Sequence, residues 1–316
     1  MAQSSAPQSG TEVGFLLARA FPRDRLLNVT PLVGGRSNAM FRARLSHAGD
    51  VVLRIFTRSA AEGRREVELL QRLRGRIVVP EVLASDAGGK TSAFVVYRYV
   101  EGTTFKEFKK TAGLQAIAEA SFATGAALAE IGKQPPVETT PFRVEPDCPG
   151  WGTATWSGFL NACAGDPIFR QRAGTNTARA VRLLVERWSA QVADVSQRRG
   201  LIHGDFSRSN VVLHHASGTW RVAAILDWEF ACGGSPLFDI GHFLRYESKQ
   251  RDSLEPHFSD GFVSGGGVLP HDWHRLSRIL DLAAIAGGLT KAHLPEPAQA
   301  ELLKLLAATL RAYPSP

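Results

Sequence analysis

Only three cysteines, Cys148, Cys163 and Cys232, occur in 316 residues, an odd number without metal-ligand spacing. That excludes a disulfide scaffold and points to structural thiols in a reduced, cytoplasmic compartment. No stretch approaches the roughly 18 apolar residues that a membrane helix requires, so no membrane association is expected. The start, MAQSSAPQSGTEVG, lacks a basic-then-apolar leader, and its opening ten residues read as a disordered tail. There is no internal repeat and no dense basic run, so the formal charge of +7 does not by itself imply a nucleic-acid partner. The charge is uneven, with net +6 over residues 1–101, +3 over 102–227 and −2 over 228–316. A phosphate-binding N-terminal half suits that bias. Lysine is scarce early: the only one before residue 101 is Lys90, in a turn after Gly88-Gly89. With 44% hydrophobic residues, the chain is long enough for one large or two modest cores.

The most informative stretch is His203-Gly204-Asp205-Phe206-Ser207-Arg208-Ser209-Asn210, with Asp227 following Asn210 by seventeen residues in Ile225-Leu226-Asp227-Trp228-Glu229. Phosphoryl transfer asks a protein for one carboxylate that orients the attacking hydroxyl and for oxygen ligands to Mg²⁺. Asp205 and Asn210 are five apart, the interval between the base and the metal-binding Asn of a kinase catalytic loop. Asp227 reads as the second metal ligand. Val211-Val212-Leu213 and Val222 to Leu226 flank Ser217-Gly218 as a hairpin, so one hairpin carries both ligands. A lone His-x-Asp is more often a loop cap; the joint spacing of Asp205, Asn210 and Asp227 selects the chemistry. Zinc at His203, Asp205, His214 and His215 is disfavoured, because adjacent histidines point to opposite faces of a strand.

Through HGDFSRSNVVL and ILDWEFA the sequence resembles the aminoglycoside phosphotransferase and choline kinase-like small-molecule kinases, over about residues 25 to 310. The resemblance implies an α+β, bilobal protein-kinase-like fold. Residues 1–24 would be a disordered or short extension, 25–101 a small antiparallel-sheet lobe that binds nucleotide, and 102–316 a mostly helical catalytic and substrate-binding lobe. It implies transfer of the γ-phosphate of ATP or GTP, with Mg²⁺, to a hydroxyl of a small molecule. Asp205 would be the base, Asn210 and Asp227 the metal ligands, His203 a support of the loop, and Asp239 in Phe238-Asp239-Ile240-Gly241 its brace. Trp228 and Glu229 replace the usual Phe-Gly. Only a dozen residues separate Asp227 from Asp239 and no Ala-Pro-Glu follows, which argues against a protein substrate.

In the N-terminal part, Leu26 to Val33, Met40 to Leu45 and Val51 to Phe56 read as strands. Gly34, Gly35, Ser37 and Asn38 between the first two would let backbone N–H groups approach phosphate. The loop lacks a full GxGxxG. Arg54 puts a charge inside an apolar strand and so needs a partner; it stands where kinases have Lys, and a permanently charged fork can bridge phosphate and carboxylate. Val67, Leu69, Leu70 and Leu73 mark a helix over Ala61 to Leu73, and Glu66 is taken as the partner of Arg54. Ala93 to Val100 reads as a last strand, with backbone at Tyr97, Tyr99 and Val100 assigned by the resemblance to the adenine edge. Amphipathic helices follow, the last near His274 to Ile285 and Ala298 to Leu310.

An aminoglycoside-type antibiotic leads among acceptors, on the argument that Glu229, Asp239, Glu247, Asp252, Glu255, Asp260 and Asp281 supply carboxylates for a polycation. A choline-like alcohol, a sugar, a macrolide or an amino alcohol stands beside it. The other class of reading is a catalytically weak nucleotide-binding regulator, prompted by Arg54 and the incomplete glycine loop.

Overall fold

The computed structural model describes residues 10–32, 38–56, 60–86, 92–137, 155–197, 200–247 and 253–313. The chain runs α1 (Gly10–Ala20), β1 (Leu26–Pro31), β2 (Asn38–Leu45), β3 (Gly49–Phe56), α2 (Ala60–Leu73), β4 (Val82–Asp86), β5 (Phe94–Arg98) and β6 (Thr103–Thr104). Then come α3 (Phe105–Phe108), α4 (Leu114–Gly132), α5 (Trp156–Gly165), α6 (Pro167–Ala173), α7 (Thr175–Val195) and β7 (Gly200–Ile202). It ends with β8 (Val211–Ala216), β9 (Thr219–Ile225), β10 (Cys232–Gly234), α8 (Pro236–Phe243), α9 (Glu255–Ser264), α10 (Trp273–Thr290) and α11 (Glu296–Ala312). An antiparallel sheet early and helices late make the expected α+β class.

Two compact units result: Met1–Thr104 with Val211–Ser217 and Val222–Glu229, and the remainder of the chain. A contiguous boundary after Glu101 was expected; instead, the segment ending at Asp227 and Glu229 groups with the N-terminal sheet.

In the first unit the sheet order is β1-β2-β3-β5-β4, all antiparallel. Val51, Leu53 and Ile55 alternate along β3 into one core with Phe41, Ala43, Leu45, Phe94 and Val96. Strand side chains alternate faces, so Arg54 projects from the opposite face, where Glu66 of α2 meets it. The expected disordered or short extension instead contains α1, whose Val13, Leu16 and Leu17 are buried in that same core. Their i, i+3, i+4 spacing is one helical face. Residues 1–9 lie outside the described residues.

The second unit is helical. Close approach of α4 and α9 depends on glycine: a Cβ at Gly125 would stand 2.0 Å from the Phe258 carbonyl oxygen, and one at Gly261 2.0 Å from that of Phe122. Phe243 of α8 lies 5.1 Å from Phe105, 4.9 Å from Phe258 and 5.7 Å from Phe206, centroid to centroid. Phe206 is fully buried, so the residue after Asp205 is an apolar anchor that fixes the loop. Cys163 and Cys232 are buried free thiols, and Cys148 lies outside the described residues. Among the described residues no helix is long and apolar enough to cross a membrane.

Candidate active site

In the first unit, Arg54 binds three carboxylates. Its Nη1 donates to Glu66 Oε1 at 3.1 Å and to Asp227 Oδ1 at 3.0 Å, and its Nη2 to Glu229 Oε2 at 2.5 Å. Burial alone would weaken the guanidinium's hold on its proton, but the charges of Glu66 and Asp227, with Tyr97 and Glu229, raise it above its ordinary value. Trp228 fixes the segment: its ring is buried, its backbone N–H donates to Glu66 Oε1 at 3.2 Å, and its indole N–H to the Ile225 carbonyl at 2.8 Å. Asp227 itself sits at φ 64°, a left-handed conformation that Asp tolerates better than most residues. Such a residue is held in place by its surroundings.

Glu66 is 2% exposed. Burial pushes its carboxyl up to about 7, with Arg54 opposing and Asp227 and Glu229 adding to the rise. The folded state therefore binds the proton more tightly than the unfolded chain, and this contribution to stability is full below about pH 4.5 and lost as pH rises through about 7. Glu66→Gln, which cannot ionise, is expected to flatten the fall in thermal midpoint across that window. Calorimetry without nucleotide or metal checks this; an unchanged profile removes Glu66 as its source.

In the second unit the loop from His203 to Asn210 is tied from both ends. Asp239, fully buried in the first turn of α8, accepts the backbone N–H of His203 at 2.7 Å through Oδ2 and of Gly204 at 3.0 Å through Oδ1. His203 is buried and its Nδ1 accepts the Asp205 N–H at 3.2 Å. Gly204 has φ 81°, and a Cβ there would lie 2.3 Å from the Phe230 carbonyl oxygen, so only glycine fits. Asn210 Nδ2 donates to the Asp205 backbone carbonyl at 2.9 Å and to Asp205 Oδ2 at 3.0 Å, while His242 Nε2 lies 3.1 Å from Asp205 Oδ1. Burial would raise the Asp205 carboxyl, but the hydrogen bond from His242, together with His203 and the hydrogen bond from Asn210, holds it below the usual aspartate value. A third of that side chain, 33%, remains exposed. Asp205 is thus an ionised, oriented carboxylate at neutral pH.

The model of the phosphotransferase enzyme family, APH, matches residues 28–279. The chain belongs to that family. Solved structures of similar fold include a thermostable mutant of aminoglycoside phosphotransferase APH(4)-Ia in ternary complex with AMP-PNP and hygromycin B, at 18% identity, TM-score 0.66, 97% of this chain and 100% of that one. The GDP complex of aminoglycoside 2'-phosphotransferase-IIIa shares 20% identity at TM-score 0.73, over 96% of this chain and 99% of that one. The fold is therefore the kinase-like one that the motifs implied. Among curated proteins, human acyl-CoA dehydrogenase family member 11 is 41% identical over 64 residues, and the probable acyl-CoA dehydrogenase IBR3 of Arabidopsis thaliana 33% over 67. Those matches span about a fifth of this chain (20% and 21%) and 8% of the length of either relative.

Against the expected phosphotransferase site, Arg54 does meet Glu66, and Asp227 joins them. Asn210 meets Asp205, and His203 and Asp239 brace the loop. The adenine edge needs correction. Tyr97 lies inside β5, paired with Val52 and Val82 on its two sides, so its backbone is already engaged in the sheet; beyond β5, the Tyr99 N–H donates to the Asp50 carbonyl at 3.1 Å. Gly34, Gly35 and Ser37 lie outside the described residues, and of Asn38 only the backbone, at the start of β2, is described. The carboxylates assigned to a cationic acceptor also have internal partners. Glu229 binds Arg54, Asp239 the loop backbone, Glu247 Arg208 at 2.7 Å, Asp281 Arg245 and Glu255 His274 at 3.0 Å. Asp260 is exposed, and Asp252 lies outside the described residues.

Sequence reasoning missed Glu229 as a partner of Arg54 and His242 as a partner of Asp205. The signal for His242 was its place one helical turn after Asp239, on the same face. Each unit by itself offers an oxygen donor of the kind a hard cation takes: in the second, Asn210 Nδ2 is occupied by Asp205 and its amide oxygen is left for a ligand, and in the first, Asp227 offers a carboxylate that is 39% exposed.

Proposed function

We propose that this chain is an O-phosphotransferase that moves the γ-phosphate of ATP or GTP to a hydroxyl of a small molecule in the cytoplasm. The observation that carries the reading is Asp205, an ionised carboxylate held through both oxygens by His242 and Asn210 and still partly open to solvent. Asp205 would accept the proton of the acceptor hydroxyl as its oxygen forms a bond to the γ-phosphorus and the bond to the departing nucleoside diphosphate breaks. Asn210 and Asp227 would hold Mg²⁺, which when bound offsets the charge of the phosphates. Arg54, a permanently charged guanidinium held by Glu66, would face the phosphates in place of the kinase Lys, with the backbone of Gly34, Gly35, Ser37 and Asn38 covering them and Val100 meeting the base.

The donor class is supported by neighbours solved with AMP-PNP and with GDP. For the acceptor, an aminoglycoside is our first choice. Its support is that neighbours of the same fold were solved with hygromycin B and with kanamycin; the acidic count after residue 228 gives little, because five of those seven carboxylates have internal partners. Expression in a sensitive bacterium, with nucleoside diphosphate release followed on purified protein, tests both levels. Raised resistance to an aminoglycoside together with Mg²⁺-dependent release on adding it is the expected result. Unchanged resistance with release on a neutral alcohol overturns the acceptor, and no release with any hydroxyl compound overturns the phosphotransferase reading.

A further inference from the structure

We infer that His242 is a positioning residue for the base, set in one tautomer by the buried Arg245–Asp281 pair. The inference rests on the phosphotransferase reading above. Arg245 is 9% exposed and Asp281 2%, and they form a forked pair, Nε to Oδ2 at 2.7 Å and Nη2 to Oδ1 at 2.5 Å. The same Nη2 stands 3.2 Å from His242 Nδ1. A guanidinium has donors and no acceptor, so a hydrogen bond here requires His242 Nδ1 to accept and therefore to carry no proton. Asp281 does not compete for that nitrogen, its Oδ1 being 3.8 Å away, beyond hydrogen-bond reach. The proton of the neutral imidazole is thereby placed on Nε2, and Nε2 lies 3.1 Å from Asp205 Oδ1. His242 can only donate to the base.

The consequence is geometric. Asp205 Oδ1 is held by His242 from α8 and Oδ2 by Asn210 from its own loop, so rotation about the carboxylate bond is fixed from two independent elements. Each oxygen keeps a lone pair for an incoming hydroxyl. A carboxylate held by Asn210 alone could swing, and small misplacement of a base is costly to rate while leaving nucleotide binding untouched. The pair of Asp281 on α10 and Arg245 just after α8 thus acts on the reaction through His242.

The test compares His242→Gln, whose side-chain amide can donate to Asp205, with His242→Met, which fills similar space without a donor. His242→Met is expected to lower kcat by about 10- to 100-fold, the range of one hydrogen bond to a charged group, with nucleotide KM within about twofold. His242→Gln should recover most of the loss. In an Asp205→Asn background the Met substitution should change kcat by less than about twofold, because its effect passes through that carboxylate. Unchanged kcat in His242→Met, equal losses in Met and Gln, or the full loss persisting in the Asp205→Asn background each overturn the assignment. Absence of any transfer by the wild-type protein is a separate result, which fails the phosphotransferase reading itself.

Discussion

Asp205→Asn is expected to lower turnover by a factor on the order of 10² to 10⁴, the range a positioned general base contributes, with nucleotide affinity within a few-fold. The substitution is nearly isosteric, yet it removes the carboxylate of the loop. It also disturbs the local bonds in a defined way. Asp205 accepts from His242 at Oδ1 and from Asn210 at Oδ2; an amide has one acceptor oxygen, so one donor loses its partner, costing about 1 to 3 kcal/mol if that donor stays dry. The loop should nevertheless keep its place, because Asp239 holds the His203 and Gly204 backbones and Phe206 is buried. Single-turnover kinetics with a working acceptor give the measurement. Turnover close to wild type would remove Asp205 as the base.

Asp227→Ala is expected to abolish Mg²⁺-dependent nucleotide binding while the protein stays folded. Loss of a direct ligand should exceed the 10- to 100-fold that outer-shell partners cost, and titration calorimetry with Mg²⁺ and nucleotide reads it. Asp227 is at φ 64°, where Ala pays roughly 1 to 2 kcal/mol that Asp or Asn largely avoids. Asp227→Asn is therefore the companion variant, keeping the backbone and losing the charge. Folding should survive because Trp228 is anchored by its ring and by bonds to Glu66 and Ile225, and Arg54 retains Glu66 and Glu229. Unchanged affinity in both variants would dispose of the ligand role.

How much of this was legible in the sequence follows from range. Asp205, Asn210 and Asp227 lie on one short loop and the hairpin after it, so spacing alone placed them. Arg54 and Glu66 are also close, twelve residues apart on a strand and the next helix. What spacing could not give was competition for partners. Arg54 is shared with Glu229, 175 residues away, and the acidic excess after residue 228 dissolved once Arg245, Arg208 and the loop backbone were seen to take it up. Tyr97 failed as an adenine contact for a related reason: which strands flank β5 depends on β4, which returns to the far edge of the sheet. The helix α1 was hidden by the Ser, Gln and Pro around its start, though Val13, Leu16 and Leu17 carry its stripe.

The most direct test of the central claim follows the γ-phosphate itself. Purified protein is given γ-labelled ATP or GTP, Mg²⁺ and a panel of hydroxylated acceptors, and product is analysed for label in wild type and in Asp205→Asn. The account predicts label on the acceptor as a phosphate ester, dependent on Mg²⁺, and lost in the variant under the same conditions. Label found only as inorganic phosphate, or ester formed equally by both proteins, would contradict it.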